Sequence, residues 1–203
     1  MNSTRSQKLY EELVNWSADY DWDVFGTLTF APKHKLRGDE AQRLFRYYWN
    51  VVDRAVYGQN TQSRVERVVC KQFGALQDNT HLHFLAKSPN KADAFCIHLN
   101  AIWVDASVHT APVMENVILP VIDVRSASRY IFHEFHRIGV DTLNLELCHR
   151  NYERWDGSVP TPPHAGAEQR LAKRSKPLTK LGATMAFEQQ ELEARARYQK
   201  RHG

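Results

Sequence analysis

The chain of 203 residues has few cysteines: Cys70, Cys96 and Cys148, far apart and with no CxxC pair. So odd and sparse a count excludes a disulfide framework and suits reduced thiols in a cytoplasm. Long apolar runs are missing too. None approaches the ~18 residues of a membrane span, so no membrane partner is expected. The opening MNSTRSQKLYEELVNW lacks the apolar centre of a signal peptide, which predicts that the protein is not exported. There is no internal repeat, no GxxxxGK[ST] and no GxGxxG, so ATP hydrolysis and dinucleotide binding through the usual loops are unsupported. The chain does have a globular composition, 42% apolar, 25% charged and 11% aromatic. That is enough for a core, and the length suits one domain or one domain with an appendage.

The net charge of +4 is unevenly placed: residues 151–203 hold ten Lys and Arg against six Asp and Glu, which leaves residues 1–150 neutral. A neutral body with a basic tail is compatible with a polyanionic partner, and equally with a solvated tail helix.

Periodicity gives the layout. Leu9, Leu13 and Trp16 mark a helix over 6–18, VFGTLTF (24–30) reads as a strand, and 39–57 reads as a helix with Asp39 and Glu40 in its first turn. RVERVVCKQF (64–73) and HLHFLAK (81–87) read as a hairpin, and 91–104 as a helix. NVILPVIDV (116–124) is a fourth strand in which Pro120 points to an edge or bulge. A helix from an N-capping Ser126 to about Ile138 is stopped by Gly139, and LNLEL (143–147) suggests one more short strand. From Tyr152 to about Lys180 the chain turns rich in Pro, Gly and charge, a linker or loosely packed arm, before a charged helix over 183–201. The order predicts an α+β fold: a central antiparallel sheet flanked by helices over 1–150, with a basic linker and C-terminal helical tail over 151–203.

Two places could carry chemistry. In a strand, His81 and His83 of His81-Leu82-His83 project from the same face, with Leu82 and Phe84 toward the core. Two neutral imidazoles so placed can bind one divalent metal; the same pair also reads as strand histidines without a ligand. Gln72, at the end of the preceding strand, can lie across from them and offer a neutral carbonyl oxygen. A His, His, Gln set suits Mg²⁺ or Mn²⁺, and Cys70 shares the parity of Gln72. The second place is the helix Ser128–Phe135. There Ile131, Phe135 and Ile138 form an apolar stripe, and Tyr130, His133, Glu134 and Arg137 fall on another. A phenol, with an ordinary pKa of ~10, needs a neighbouring base or metal to act as a nucleophile near neutrality.

In order along the chain, Phe25-Gly26-Thr27-Leu28-Thr29-Phe30, His81-Leu82-His83 and Tyr130-Ile131-Phe132-His133 resemble the three motifs of the HUH endonuclease superfamily, specifically its rolling-circle replication initiators. The likeness covers about residues 22–150. It implies a strand of the FLTLTF type, a metal-binding histidine pair and a helical tyrosine nucleophile in a YxxK-like motif. It departs from the family at two points. Gln72-Phe73-Gly74 stands where a Glu-aromatic-Gly is common, and His133 stands in place of the lysine.

The resemblance implies nicking of single-stranded or stem-loop DNA, with Tyr130 forming a 5′-phosphotyrosine and releasing a 3′-OH. His81, His83 and Gln72 would hold Mg²⁺ or Mn²⁺, and His133 or Glu134 would take the phenolic proton. DNA phosphates would meet Lys33, Lys35, Arg37, Arg129, Lys173 and Arg174. Without an appended helicase domain, unwinding would come from a host helicase and synthesis from a host polymerase, in the cytoplasm of a bacterial cell. A single-tyrosine HUH transposase, or a nucleic-acid-binding α+β domain without catalysis, are the competing expectations.

Overall fold

Four stretches rich in β-branched and aromatic residues pair into one sheet. They are β1 (Val24–Leu28), β2 (Arg67–Gln72), β3 (His81–Ala86) and β4 (Val117–Pro120), in the order β2-β3-β1-β4. Every pairing is antiparallel. The computed structural model describes residues 3–31, 36, 38–59, 63–74, 80–150 and 163–202. Its architecture is the α+β arrangement expected from the patterning. β2 and β3 form the predicted hairpin, and Pro120 ends the edge strand β4, where a missing N–H costs no ladder bond. The strands are shorter than their apolar runs. β1 stops at Leu28, although Phe30 makes an isolated bridge to Thr110.

The two-residue period of the strands creates two layers. Val24, Leu28, Val69, Leu82, Phe84 and Ala86 face one core, covered by α2 (Gly38–Tyr57) and α3 (Ala92–Ala106) through Phe45, Tyr48, Trp49, Phe95 and Trp103. Phe25, Val68, Cys70 and Leu85 face the other, covered by α1 (Ser3–Ala18), α4 (Val124–Ile131) and α5 (Phe135–Ile138) through Val14, Ile131, Phe132 and Phe135. Gly26 belongs to the first layer, where a Cβ would sit 2.2 Å from the Phe84 ring. That ring lies directly on the β1 backbone, a close approach only glycine permits.

A buried ion pair locks α2 to the sheet. Arg67 meets Asp53 through two bonds of 2.7 and 3.0 Å, donates from Nε to Leu147 O at 2.8 Å, and lies over the Trp49 ring at 4.4 Å. Asp53 also accepts from Val65 N at 2.8 Å.

Two expectations need correction. The single helix over 126–138 is two helices separated by a turn at 132–134, and its N-cap is Asp123, which accepts from Arg125 N, rather than Ser126. Ile131, Phe132 and Phe135 are all buried, and adjacent residues on a straight helix point about 100° apart. The break lets all three reach the same core. Gly139, at φ +77°, stops the second helix as expected. LNLEL is a turn rather than a strand. It lies between isolated bridges from Leu143 to Cys70 and from His149 to Arg67. Its flanks bond along the outer edge of β2: Asn144 N to Val69 O at 2.8 Å, His149 N to Arg67 O at 2.9 Å and Arg67 N to His149 O at 2.7 Å.

Beyond residue 162, α6 (Ala167–Ala172) packs on α2 and contributes Leu171 to the first core. The last helix, α7 (Pro177–His202), begins earlier than predicted, with proline in its first turn, where no intrahelical donor is needed. Asp105 holds that end, accepting from Lys176 N at 2.5 Å and Thr179 Oγ1 at 2.9 Å. α7 then runs along α3 and past β4, burying Ala183, Ala186 and most of Phe187. Among the described residues, no helix is long and apolar enough to cross a membrane.

Candidate active site

The second layer holds the histidines. On β3, His81 and His83 project from one face with ring centroids 4.8 Å apart. The register sets Thr27 and Cys70 on either side of His83 and Gln72 opposite His81. His83 is only 1% exposed. Its Nδ1 lies 2.8 Å from Thr27 Oγ1, whereas its Nε2 is buried without a hydrogen-bond partner. Burial first, then the neighbouring His81 and His133, push this imidazole well below its ordinary range, so it is neutral at physiological pH. The Thr27 hydroxyl can donate or accept at Nδ1; in the tautomer where it accepts from Nδ1–H, the lone pair falls on Nε2, the form that ligates metals.

Gln72 is fully buried, and its Nε2 donates to Ile131 O at 2.8 Å. A carbonyl can only accept, so the amide must turn its nitrogen to α4, which leaves Oε1 buried and unpartnered. A glutamate here would face that carbonyl with an oxygen. The amide therefore ties α4 to β2 while keeping one oxygen donor. Two orphaned acceptors on one sheet face, beside a second imidazole, would each cost about 1–3 kcal/mol if nothing met them. A divalent cation within reach of both would satisfy them, and two imidazoles with an amide oxygen are donors that Mg²⁺ or Mn²⁺ can accept. Among the described residues, no group of three His, Cys, Asp or Glu side chains is placed to hold a metal; this set is two imidazoles and an amide. Cys70, opposite His83, is buried in the apolar layer, and burial, then Cys148, drives its thiol well up, which leaves it a protonated, apolar neighbour.

α4 brings the phenol to this face. Tyr130 is 51% exposed, and its ring meets His83 edge-on at 5.2 Å and Phe25 edge-on at 5.3 Å. His133 lies 5.1 Å from Tyr130 and 5.5 Å from His83, centroid to centroid. The turn after α4 places His133 Nδ1 2.7 Å from Tyr130 O. That acceptor requires Nδ1 to carry the proton, so the basic lone pair of a neutral His133 is on Nε2.

Comparison with protein-family models, curated proteins and solved structures finds no match.

Of the residues expected to act together, His81, His83, Gln72, Tyr130 and His133 gather on this face. Glu134 has another task. It is mostly buried, accepts from Phe73 N at 3.1 Å and pairs with Arg137 Nη2 at 2.5 Å. Burial alone would raise its carboxyl, but the Phe73 amide and the Arg137 guanidinium outweigh that and hold it below the ordinary carboxylate range. It pins α5 to the end of β2 as an ionised group already committed to partners. Arg129 is exposed beside Tyr130 on α4. Lys173 and Arg174 are exposed at the end of α6, which packs on the opposite layer, away from the histidines. Lys33, Lys35 and Arg37 lie outside the described residues.

Sequence reasoning missed Thr27 and Phe25, although both stand in the quoted FGTLTF segment. Strand parity puts them on one face of β1. Only the register of β1 against β3, which sequence does not give, puts that face beside His83.

Proposed function

We propose that the protein is a metal-dependent single-strand DNA endonuclease and strand transferase of the HUH type. It nicks through a covalent 5′-phosphotyrosine on Tyr130 and provides the 3′-OH that begins rolling-circle replication. The observation that carries this reading is the contact of the Tyr130 ring with His83, whose buried Nε2, like Gln72 Oε1, has no protein partner.

A divalent ion held by His81, His83 and Gln72 would polarise the scissile phosphodiester as a Lewis acid. Thr27 fixes the orientation of His83, and Ile131 O fixes the amide of Gln72. The Tyr130 oxygen attacks phosphorus; a tyrosyl P–O bond forms as the bond to the 3′ oxygen breaks. The phenolic proton passes to His133 Nε2 and from there to the departing 3′ oxygen, which leaves as a hydroxyl. The reverse sequence, with another 3′-OH as the attacking group, rejoins strands because the phosphotyrosyl diester retains the energy of the broken bond. Phe25, edge-on to Tyr130, limits the ring's movement between these steps.

The test is an adduct assay. Labelled single-stranded oligonucleotides incubated with the protein and Mn²⁺ should yield an SDS-stable complex. Tyr130→Phe should abolish it, and His81→Ala or EDTA should cut it by about 10²-fold or more. His133→Ala should slow it by about 10²-fold with binding retained. An adduct that persists in Tyr130→Phe reassigns the nucleophile; binding without any adduct reduces the protein to a nucleic-acid-binding domain.

A further inference from the structure

The site opens on one side into a hollow of about 350 Å³, within the size range of small-ligand clefts. Phe25 and Tyr130 form its inner end, the end of β4 and the β4–α4 connection (Leu119–Asp123) its floor, and the last turns of α7 its outer wall. A second hollow of about 390 Å³ shares Leu119–Ile122 and Tyr198 and continues the groove toward Arg195 and Gln199. The floor is apolar, with Ile122 50% exposed, and the α7 wall carries Arg197, Tyr198 and Arg201. Tyr198 is 41% exposed. The acid in the first hollow, Asp123, is occupied in capping α4, where it accepts from Arg125 N and Ser126 Oγ. Arg197 pairs with the exposed Glu193, four residues before it.

An apolar floor between two phenols, with guanidinium groups along one wall, has the chemistry of a groove for single-stranded nucleic acid. Aromatic faces take unstacked bases, and arginines follow the phosphates. We infer that the groove between α7 and the β4–α4 connection binds single-stranded DNA next to the attacked phosphodiester, with a base against Tyr198 and phosphates on Arg197 and Arg201. This rests on the nicking reading for the identity of the strand, while the residues that would hold the strand, Arg197, Tyr198 and Arg201, take no part in the chemistry. It also gives the C-terminal helix a role: the wall of the substrate channel.

Binding measured where no covalent step can occur separates the two proposals. Tyr130→Phe protein in EDTA is titrated with labelled oligothymidine, followed by fluorescence anisotropy over a range of salt. Adding Tyr198→Ala should weaken binding about tenfold, while Tyr198→Phe, which keeps the ring, should bind like the parent. Arg197→Ala with Arg201→Ala should lower the steepness of the salt dependence by about 1.4 in log–log slope. Circular dichroism confirms that each variant is folded; these are surface positions on a helix. If Tyr198→Ala and the double arginine variant bind like their parent, the groove is overturned, even if the unmutated protein forms adducts. If binding falls as stated but the unmutated protein forms no adduct, the groove stands and the nicking reading fails.

Discussion

Thr27 anchors the Nδ1 side of the His83 ring. Among the described residues, its hydroxyl is the one hydrogen-bond partner of the buried imidazole. Thr27→Val keeps the β-branched shape but leaves Nδ1 without its hydroxyl partner, so the ring loses its anchor. The expected result is Mn²⁺ affinity about 10- to 100-fold weaker by isothermal titration calorimetry, with little change in far-ultraviolet circular dichroism. Unchanged affinity would remove His83 from the ligand set. Gln72 shows the same economy in one side chain: its nitrogen holds α4 in place while its oxygen stays available.

At the scale of elements, the sheet supports the site because α2 and β2 are joined through Arg67 and Asp53 beneath it. Asp53→Ala would leave a guanidinium buried at 5% exposure without its counter-charge. It should cost about 3–5 kcal/mol in chemical denaturation, far more than an exposed pair would. Much of this level was legible in the chain. Alternation over HLH placed two imidazoles on one face; Tyr130 and His133 also meet as expected, though through the turn after α4 and not through a continuous helical stripe. The hairpin made Gln72 across from the histidines legible, whereas Thr27 opposite His83 and the Ile131 carbonyl over the amide were not, being pairings between segments far apart in sequence. Nor could local pattern show that Glu134 would be drawn to Phe73 N. The break between α4 and α5 follows from burying Ile131, Phe132 and Phe135 together, a demand of tertiary packing that no single turn of sequence displays. Gly26, by contrast, reads as an ordinary weakness in a strand until the Phe84 ring is seen lying on it.

The whole molecule should lose stability in mild acid. Burial pushes the imidazoles of His83 and His98 below their ordinary value; around His98, Lys180 adds to this and Glu168 opposes it. The unfolded chain, whose histidines titrate near ~6.5, therefore takes up these protons before the folded one does. Their contribution is complete above that pH and is lost as pH falls below it. In EDTA, the urea midpoint should drop between about pH 7.5 and about pH 5.5, and His98→Gln should make that drop smaller. A midpoint that rose on acidification would contradict neutral burial of these rings.

The segment over 143–149 occupies the backbone groups of Arg67 and Val69 that β2 would otherwise turn outward. At the opposite border, β4 is four residues long and ends in proline. Neither margin invites a foreign strand, so the ladder is poorly suited to being continued by a second copy of this protein.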